Sequence, residues 1–267
     1  MTPFTHRSGE GGWGAARADL ATGATGATGA ELAGSGDRKR HEGLGWAVQR
    51  LAGGAAEIHA AAVPTPARRL LRWCEPDRPA LVLGSAQPDA DVDAEGAVAA
   101  GLEVVRRRSG GSAVVVGPGR LVWADVIVPA GDPLWSDDVG VAPMWLGRCW
   151  ARALDALGLT GAVVHEGAMV RGPWSPLVCF AGTGPGEVLI GGRKIVGISQ
   201  RRTREAALFQ VAVLLAWDPV ETTAGLVIDP RAADELAGAA VGIDEVVPTH
   251  GRIEDAFAVA LAAATRT

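Results

Sequence analysis

This sequence predicts an α+β fold: a mixed β-sheet with flanking helices gathered on one face. Two observations carry that expectation. β-branched runs follow one another at short spacing with Gly- and Pro-containing turns between them, and only a few segments repeat apolar residues at helical period.

Taken in order, residues 1–42 are rich in Gly, Ala, Thr and Ser and contain the repeat ATGATGATGA. They hold too few large apolar side chains for burial to offset the entropy of ordering them, so a disordered low-complexity leader is expected. Residues 43–267 form the expected folded domain. RRLLRW and PALVLGSAQ read as strands separated by a turn containing Glu75, Pro76 and Asp77. Asp91 to Ala100 reads as a short Ala-rich helix leading into the strand LEVVRR. SAVVVG and RLVWADVIVP bracket the turn Gly117-Pro118-Gly119. Leu146, Cys149, Trp150, Ala153, Leu154 and Leu157 recur at helical spacing, and Gly158 ends that helix. AVVHEGAM, PLVCFAG, GEVLI and RKIVGIS are further strand candidates. A last helix from about Arg252 repeats apolar positions at Ile253, Phe257 and Leu261.

Bulk properties narrow the function classes. A net charge of −5 argues against a nucleic-acid or membrane-surface binder, and no apolar run approaches the length of a membrane span. Three separated cysteines without a CxxC pair fit a reducing compartment, so a cytoplasmic protein is expected. The five histidines show no metal-ligand spacing, and no metal site is expected.

Lys194 is the most informative residue. Of 25 cationic side chains only Lys39 and Lys194 are lysines, and Lys39 lies in the leader. A chain that uses arginine almost everywhere keeps lysine where a compact charge of adjustable pKa is needed. If Gly191-Gly192 is a two-residue turn, Leu189 pairs with Lys194, and Glu187 shares its face at a diagonal distance of roughly 7–8 Å. Gly197, without a side chain, marks close approach by a ligand or backbone.

Two short basic stretches stand out in this acidic chain: Arg106-Arg107-Arg108, and Arg193, Lys194, Arg201, Arg202 and Arg204. The first runs into Ser109-Gly110-Gly111, where backbone amides can turn towards an anion. Together these stretches predict a focused site for a phosphate-bearing ligand or an acidic partner. Cys149 falls in a helix core stripe, whereas Cys179 precedes the Gly-rich run GTGPG and lies fifteen residues before Lys194. A nearby ammonium would favour its thiolate. GTGPGE precedes a strand rather than a helix, which excludes a dinucleotide fingerprint.

These residues resemble two signatures of the biotin/lipoate protein ligase superfamily. Arg106-Arg107-Arg108-Ser109-Gly110-Gly111-Ser112-Ala113-Val114 looks like its R-R-x-S-G-G-G-A-V, and Gly192 to Gln200 looks like its G-x-K-x-x-G-S-A-Q. GSAQ at 84–87 resembles the early G-x-x-Q. The resemblance implies a catalytic domain that attaches octanoyl or lipoyl groups to a lysine of lipoyl-carrier domains. Within the lipoate–protein ligase A and octanoyltransferase family, Cys179, Phe180, Glu187 and Lys194 look like the cysteine-dependent octanoyltransferases.

On that likeness Cys179 attacks an acyl carrier protein thioester, and Lys194 stabilises the thiolate and the developing oxyanion. Arg106, Arg107, Ser109, Gly110, Gly111, Gly197 and Gln200 contact substrate, and Val114, Leu83 and Trp123 are candidates to line the acyl tunnel. Thioester transfer requires no cofactor. The alternative is a lipoate ligase using ATP and Mg with free lipoate or octanoate. Departures from the pattern keep a third reading, a non-catalytic relative that binds acyl groups or lipoyl domains. Ser112 replaces the third glycine, Val116-Gly117 replaces a His-Asp, and Leu208-Phe209-Gln210 stands near a His-Gly.

Overall fold

The computed structural model describes residues 45–245 and 251–264, so the leader expected over residues 1–42 lies outside the described residues. Seven strands make the larger sheet. In spatial order these are β1 (Ala47–Gly53), β2 (Leu70–Pro76), β6 (Leu121–Pro129), β10 (Ala206–Leu214), β9 (Arg193–Arg202), β8 (Val188–Ile190) and β7 (Ala162–Val164). β1 runs parallel to β2 and every later neighbour is antiparallel, which makes the sheet mixed. A smaller sheet places β3 (Ala80–Leu83) between β4 (Glu103–Arg106) and β5 (Val114–Val116).

Side-chain alternation divides the large sheet into two working faces. Trp73, Ala124, Val126, Val128, Phe209 and Val211 face α3 (Met144–Ala156) and α6 (Gly251–Ala264). Both helices bury the stripes expected of them: Leu146, Cys149, Trp150 and Leu154 from one, Ile253, Phe257 and Leu261 from the other. Trp150 stacks on Phe257 with centroids 3.9 Å apart, and Trp73 meets both edge-on. On the other face Cys74, Leu121, Trp123 and Leu214 pack against Val82, Val105 and Val116 of the smaller sheet and against α1 (Ala55–Ala60).

Several details differ from expectation. The strands read on either side of Glu75-Pro76-Asp77 and of Gly117-Pro118-Gly119 exist, but each pair divides between the two sheets. PLVCFAG is not a strand: Cys179–Ala181 is a single 3₁₀ turn, and just before it Leu177 O accepts the Ala113 amide while the Cys179 amide donates to Ala113 O, an isolated bridge rather than a sheet edge. β1, β10 and α1 were not anticipated. α2 (Ala94–Ala99) starts at Asp93, whose carboxylate accepts the Gly96 amide. α4 (Pro219–Ala224) and α5 (Ala232–Leu236) complete the regular elements. Among the described residues no helix is long and apolar enough to cross a membrane.

Candidate active site

The β8–β9 hairpin turns at Gly191 and Gly192, whose φ values of 57° and 77° suit glycine, and it pairs Ile190 with Arg193 and Leu189 with Lys194 as expected. The register then shifts, so Val188 faces Val196 and one residue of β9 is left over. This bulge brings Glu187 beside Lys194, which corrects the expected diagonal separation. Lys194 Nζ lies 2.7 Å from Glu187 Oε2, with the lysine 2% exposed.

The ammonium also donates to the carbonyls of Cys179 and Gly182, both at 3.0 Å, and lies 4.8 Å from the centre of the Phe180 ring. Three N–H groups thus meet three acceptors. Glu187 in turn accepts the amides of Gly184 and Ile198. The pair ties the 179–184 loop to β9. Lys194 reaches Cys179 through its backbone carbonyl.

The arginine–glycine segment folds against the smaller sheet. Arg107 is buried and donates four hydrogen bonds, one to Val82 O, two to Gly110 O and one to Ser112 O. Burial lowers its pKa, against the opposing charge of Cys179. Arg106 donates to Gly84 O and Gln87 O and pairs with Asp89. Both arginines are therefore spent on scaffold contacts.

Gly111 has φ of 96°, and a Cβ there would stand 2.7 Å from Arg107 Nη2 and 3.9 Å from Cys179 Sγ. The thiol therefore sits beside the glycine turn. Gly110 is exposed, and Ser109 Oγ donates to Gln210 Oε1 at 2.8 Å and lies 3.0 Å from Ser199 Oγ.

Cys179 opens onto an apolar cleft of about 450 Å³ whose walls include Val82, Val114, Trp123, Phe180 and Gly197. Gly197 leaves the space open, since a Cβ there would stand 3.2 Å from Phe180 Cζ. Leu83 is instead packed beneath the smaller sheet. Gln200 pairs with Phe209, facing the helices, and donates to Val139 O at 2.6 Å, so it lies on the far side of the sheet from the cleft.

Three polar residues in this region escaped the sequence reading. Gln210 Nε2 contacts both His59 Nδ1 at 3.2 Å and Asp125 Oδ1 at 3.3 Å, and the imidazole lies on Trp123 with centroids 4.4 Å apart. Burial, then the charge of Arg107, lowers the His59 pKa to about 4. Burial raises that of Asp125 to about 6 against the hydrogen bonds from Trp123 and Gln210. A usable signal existed: Asp125 and Gln210 each interrupt an apolar run, and a polar residue buried in a strand has to be satisfied.

Known proteins resemble this chain in sequence and fold. The family described as the lipoyl protein ligase A/B catalytic domain matches residues 55–247. Octanoyltransferase LipM of Kyrpidia tusciae is 31% identical over 188 residues, covering 68% of this chain and 67% of that protein. The solved structure of a lipoate-protein ligase A bound with ATP aligns with a TM-score of 0.63 at 19% identity, over 83% of this chain and 85% of that one. The bi-partite lipoate protein ligase of Thermoplasma acidophilum aligns with a TM-score of 0.62 at 18% identity, over 83% of each chain. At those identities the structures speak for the fold, while the family match and the LipM relative carry the assignment. The chain belongs to the lipoyl protein ligase A/B catalytic-domain family and is an octanoyltransferase or lipoate ligase of that family.

Proposed function

We propose that this chain is a cysteine-dependent octanoyltransferase, moving the acyl group from an acyl carrier protein thioester to a lysine of a lipoyl-carrier domain. The observation that carries the proposal is the position of Cys179. Its thiol opens on the apolar cleft beside the Gly110-Gly111 turn, and it alone of the three cysteines is partly exposed. Burial pushes the Cys149 thiol up to about 12 and that of Cys74 well above its ordinary value, which leaves both inert.

In the first step the Cys179 sulfur attacks the thioester carbonyl carbon. A new C–S bond forms, the bond to the carrier sulfur breaks, and the carrier thiol leaves with the proton that Cys179 gave up. In the second step a lysine amine attacks the acyl-enzyme, the C–N bond forms, and Cys179 recovers a proton from that nitrogen. Each step exchanges one acyl bond for another, so no cofactor is consumed. Arg107 holds a buried positive charge beside the same Gly111 turn that the thiol flanks. Lys194 acts as a positioning residue through the Cys179 carbonyl.

A ligase reading needs cations in the cleft for the phosphates of ATP. Lys194 and Arg107 do not fit that role, because they direct their donors at Glu187 and backbone carbonyls. Intact-mass analysis after incubation with octanoyl-acyl carrier protein, without ATP, tests the proposal. An octanoyl adduct on Cys179 that a lipoyl domain discharges is expected. Acyl-adenylate formation on adding ATP, with no adduct, would establish the ligase.

A further inference from the structure

Behind His59 and Gln210 lies a second cavity of about 690 Å³, lined also by Arg108, Arg201, Thr203 and Leu208. Strand register places it. On the cleft face of β9 and β10, Gly197 pairs with Ala212, Ser199 with Gln210, and Arg201 with Leu208. Successive pairs on one face are about 7 Å apart. The row therefore runs from the apolar cleft, through the Ser199–Gln210 pair, to Arg201. Arg108 arrives from the opposite side, because its neighbour Ser109 is fastened to Gln210 and Ser199.

This cavity brings two unpaired guanidiniums to one place. Arg50, Arg69, Arg78 and Arg120 all pair with carboxylates. Arg108 and Arg201 are exposed, and among the described residues neither has a hydrogen-bond or ion-pair partner. No acidic side chain lines the cavity, although the chain carries a net charge of −5. At the junction the Gln210 amide donates to His59 Nδ1, which leaves the ring proton on Nε2, a buried atom with no partner. Two unpaired guanidiniums and one unspent N–H thus stand at one end of the apolar cleft.

We propose that this cavity is a phosphate subsite, in which Arg108 and Arg201 hold a phosphate ester on the leaving group of the acyl donor while the acyl chain occupies the cleft. The proposal rests on the cleft taking the acyl chain, as above. His59 Nε2 donates to the linker between the two parts. The shared chemistry is a phosphate ester joined to an acyl group, which a phosphopantetheine thioester and an acyl-adenylate both supply. Guanidinium suits it because its fork donates two parallel bonds to phosphate oxygens.

Calorimetric titration of the full chain with four non-transferable probes tests this. Two are the octanoyl amide analogue of acyl-pantetheine and its 4′-phosphate. The other two are the octyl ester of AMP and octyl adenosine ether. Wild type is expected to bind a phosphorylated probe roughly tenfold or more tightly than its uncharged partner. Arg108→Gln/Arg201→Gln should erase that gap, and whichever pair shows the gap identifies the donor. A gap that survives the double variant, or no gap in wild type, overturns the subsite while the uncharged probes still report acyl binding. Failure of all four probes to bind overturns the subsite together with the acyl cleft.

Discussion

Lys194 grips the carbonyl oxygen of Cys179 at 3.0 Å while its charge is matched by Glu187 at 2.7 Å, so one buried ammonium sets where the candidate nucleophile stands. Removing either partner of a buried, fully bonded pair leaves a stranded charge. Lys194→Met and Glu187→Gln should each cost about 3–5 kcal/mol in urea unfolding. The double variant should cost clearly less than the sum. Strict additivity would show that the two groups are not coupled.

Lys194→Arg keeps the charge but not the shape. Three acceptors converge on a single point, and a planar guanidinium cannot meet them there. Transfer should fall by at least about tenfold, equivalent to about 1.4 kcal/mol in barrier. Rates within threefold of wild type in an octanoyl-transfer assay would show that the geometry around Nζ is not critical.

The hairpin, the register of its first two pairs and both long helix stripes were legible because each rests on local spacing. The Gly191-Gly192 turn fixes Leu189 opposite Lys194, and Ile253, Phe257 and Leu261 recur at one period. The bulge beyond Leu189 was not legible, since nothing in the sequence near Val188 marks the extra residue. β10 was missed because AALFQVAVL is apolar on both faces, and such a run carries little period-2 signal. The roles of Arg106 and Arg107 were hidden for another reason. An arginine spent on backbone carbonyls reads the same in sequence as one free for a ligand.

Gly84 should tolerate no side chain. A Cβ at that position would stand 1.7 Å from Gly111 O, a backbone atom of the turn beside Cys179. Neither chain can swing aside as a flexible side chain would, so Gly84→Ala should destabilise by about 1–3 kcal/mol or more. It should also displace the turn and slow acylation. Thermal unfolding and adduct formation read the two effects. A variant with wild-type midpoint and rate would mean that the loops separate without cost.

Cys179→Ser should remove the acyl adduct and leave the urea midpoint near that of wild type, because its side chain is only partly buried. Cys149→Ser is the control. It puts a hydroxyl into the α3 core stripe and should cost about 1–3 kcal/mol in stability while transfer persists. Persistent lipoyl-domain modification by Cys179→Ser would remove the nucleophile assignment.

His59 and Asp125 should make opposite contributions to stability as pH changes. The folded His59 pKa of about 4 lies below its ordinary 6.5, so between these values the unfolded chain binds more protons and stability falls as pH falls. Asp125 titrates near 6 when folded against an ordinary 3.8. There the folded chain binds more protons, and stability rises as pH falls from about 6. Over the shared window the two largely cancel in wild type. His59→Gln removes the first effect, so its stability relative to wild type should improve by about 3 kcal/mol between pH 7 and pH 4. Asp125→Asn should shift the other way by a similar amount. Urea titrations at pH 7, 5 and 4 measure both differences. Curves that stay parallel to wild type for both variants would show that neither group changes its pKa on folding, and that the polar network at the cleft leaves their protonation unperturbed.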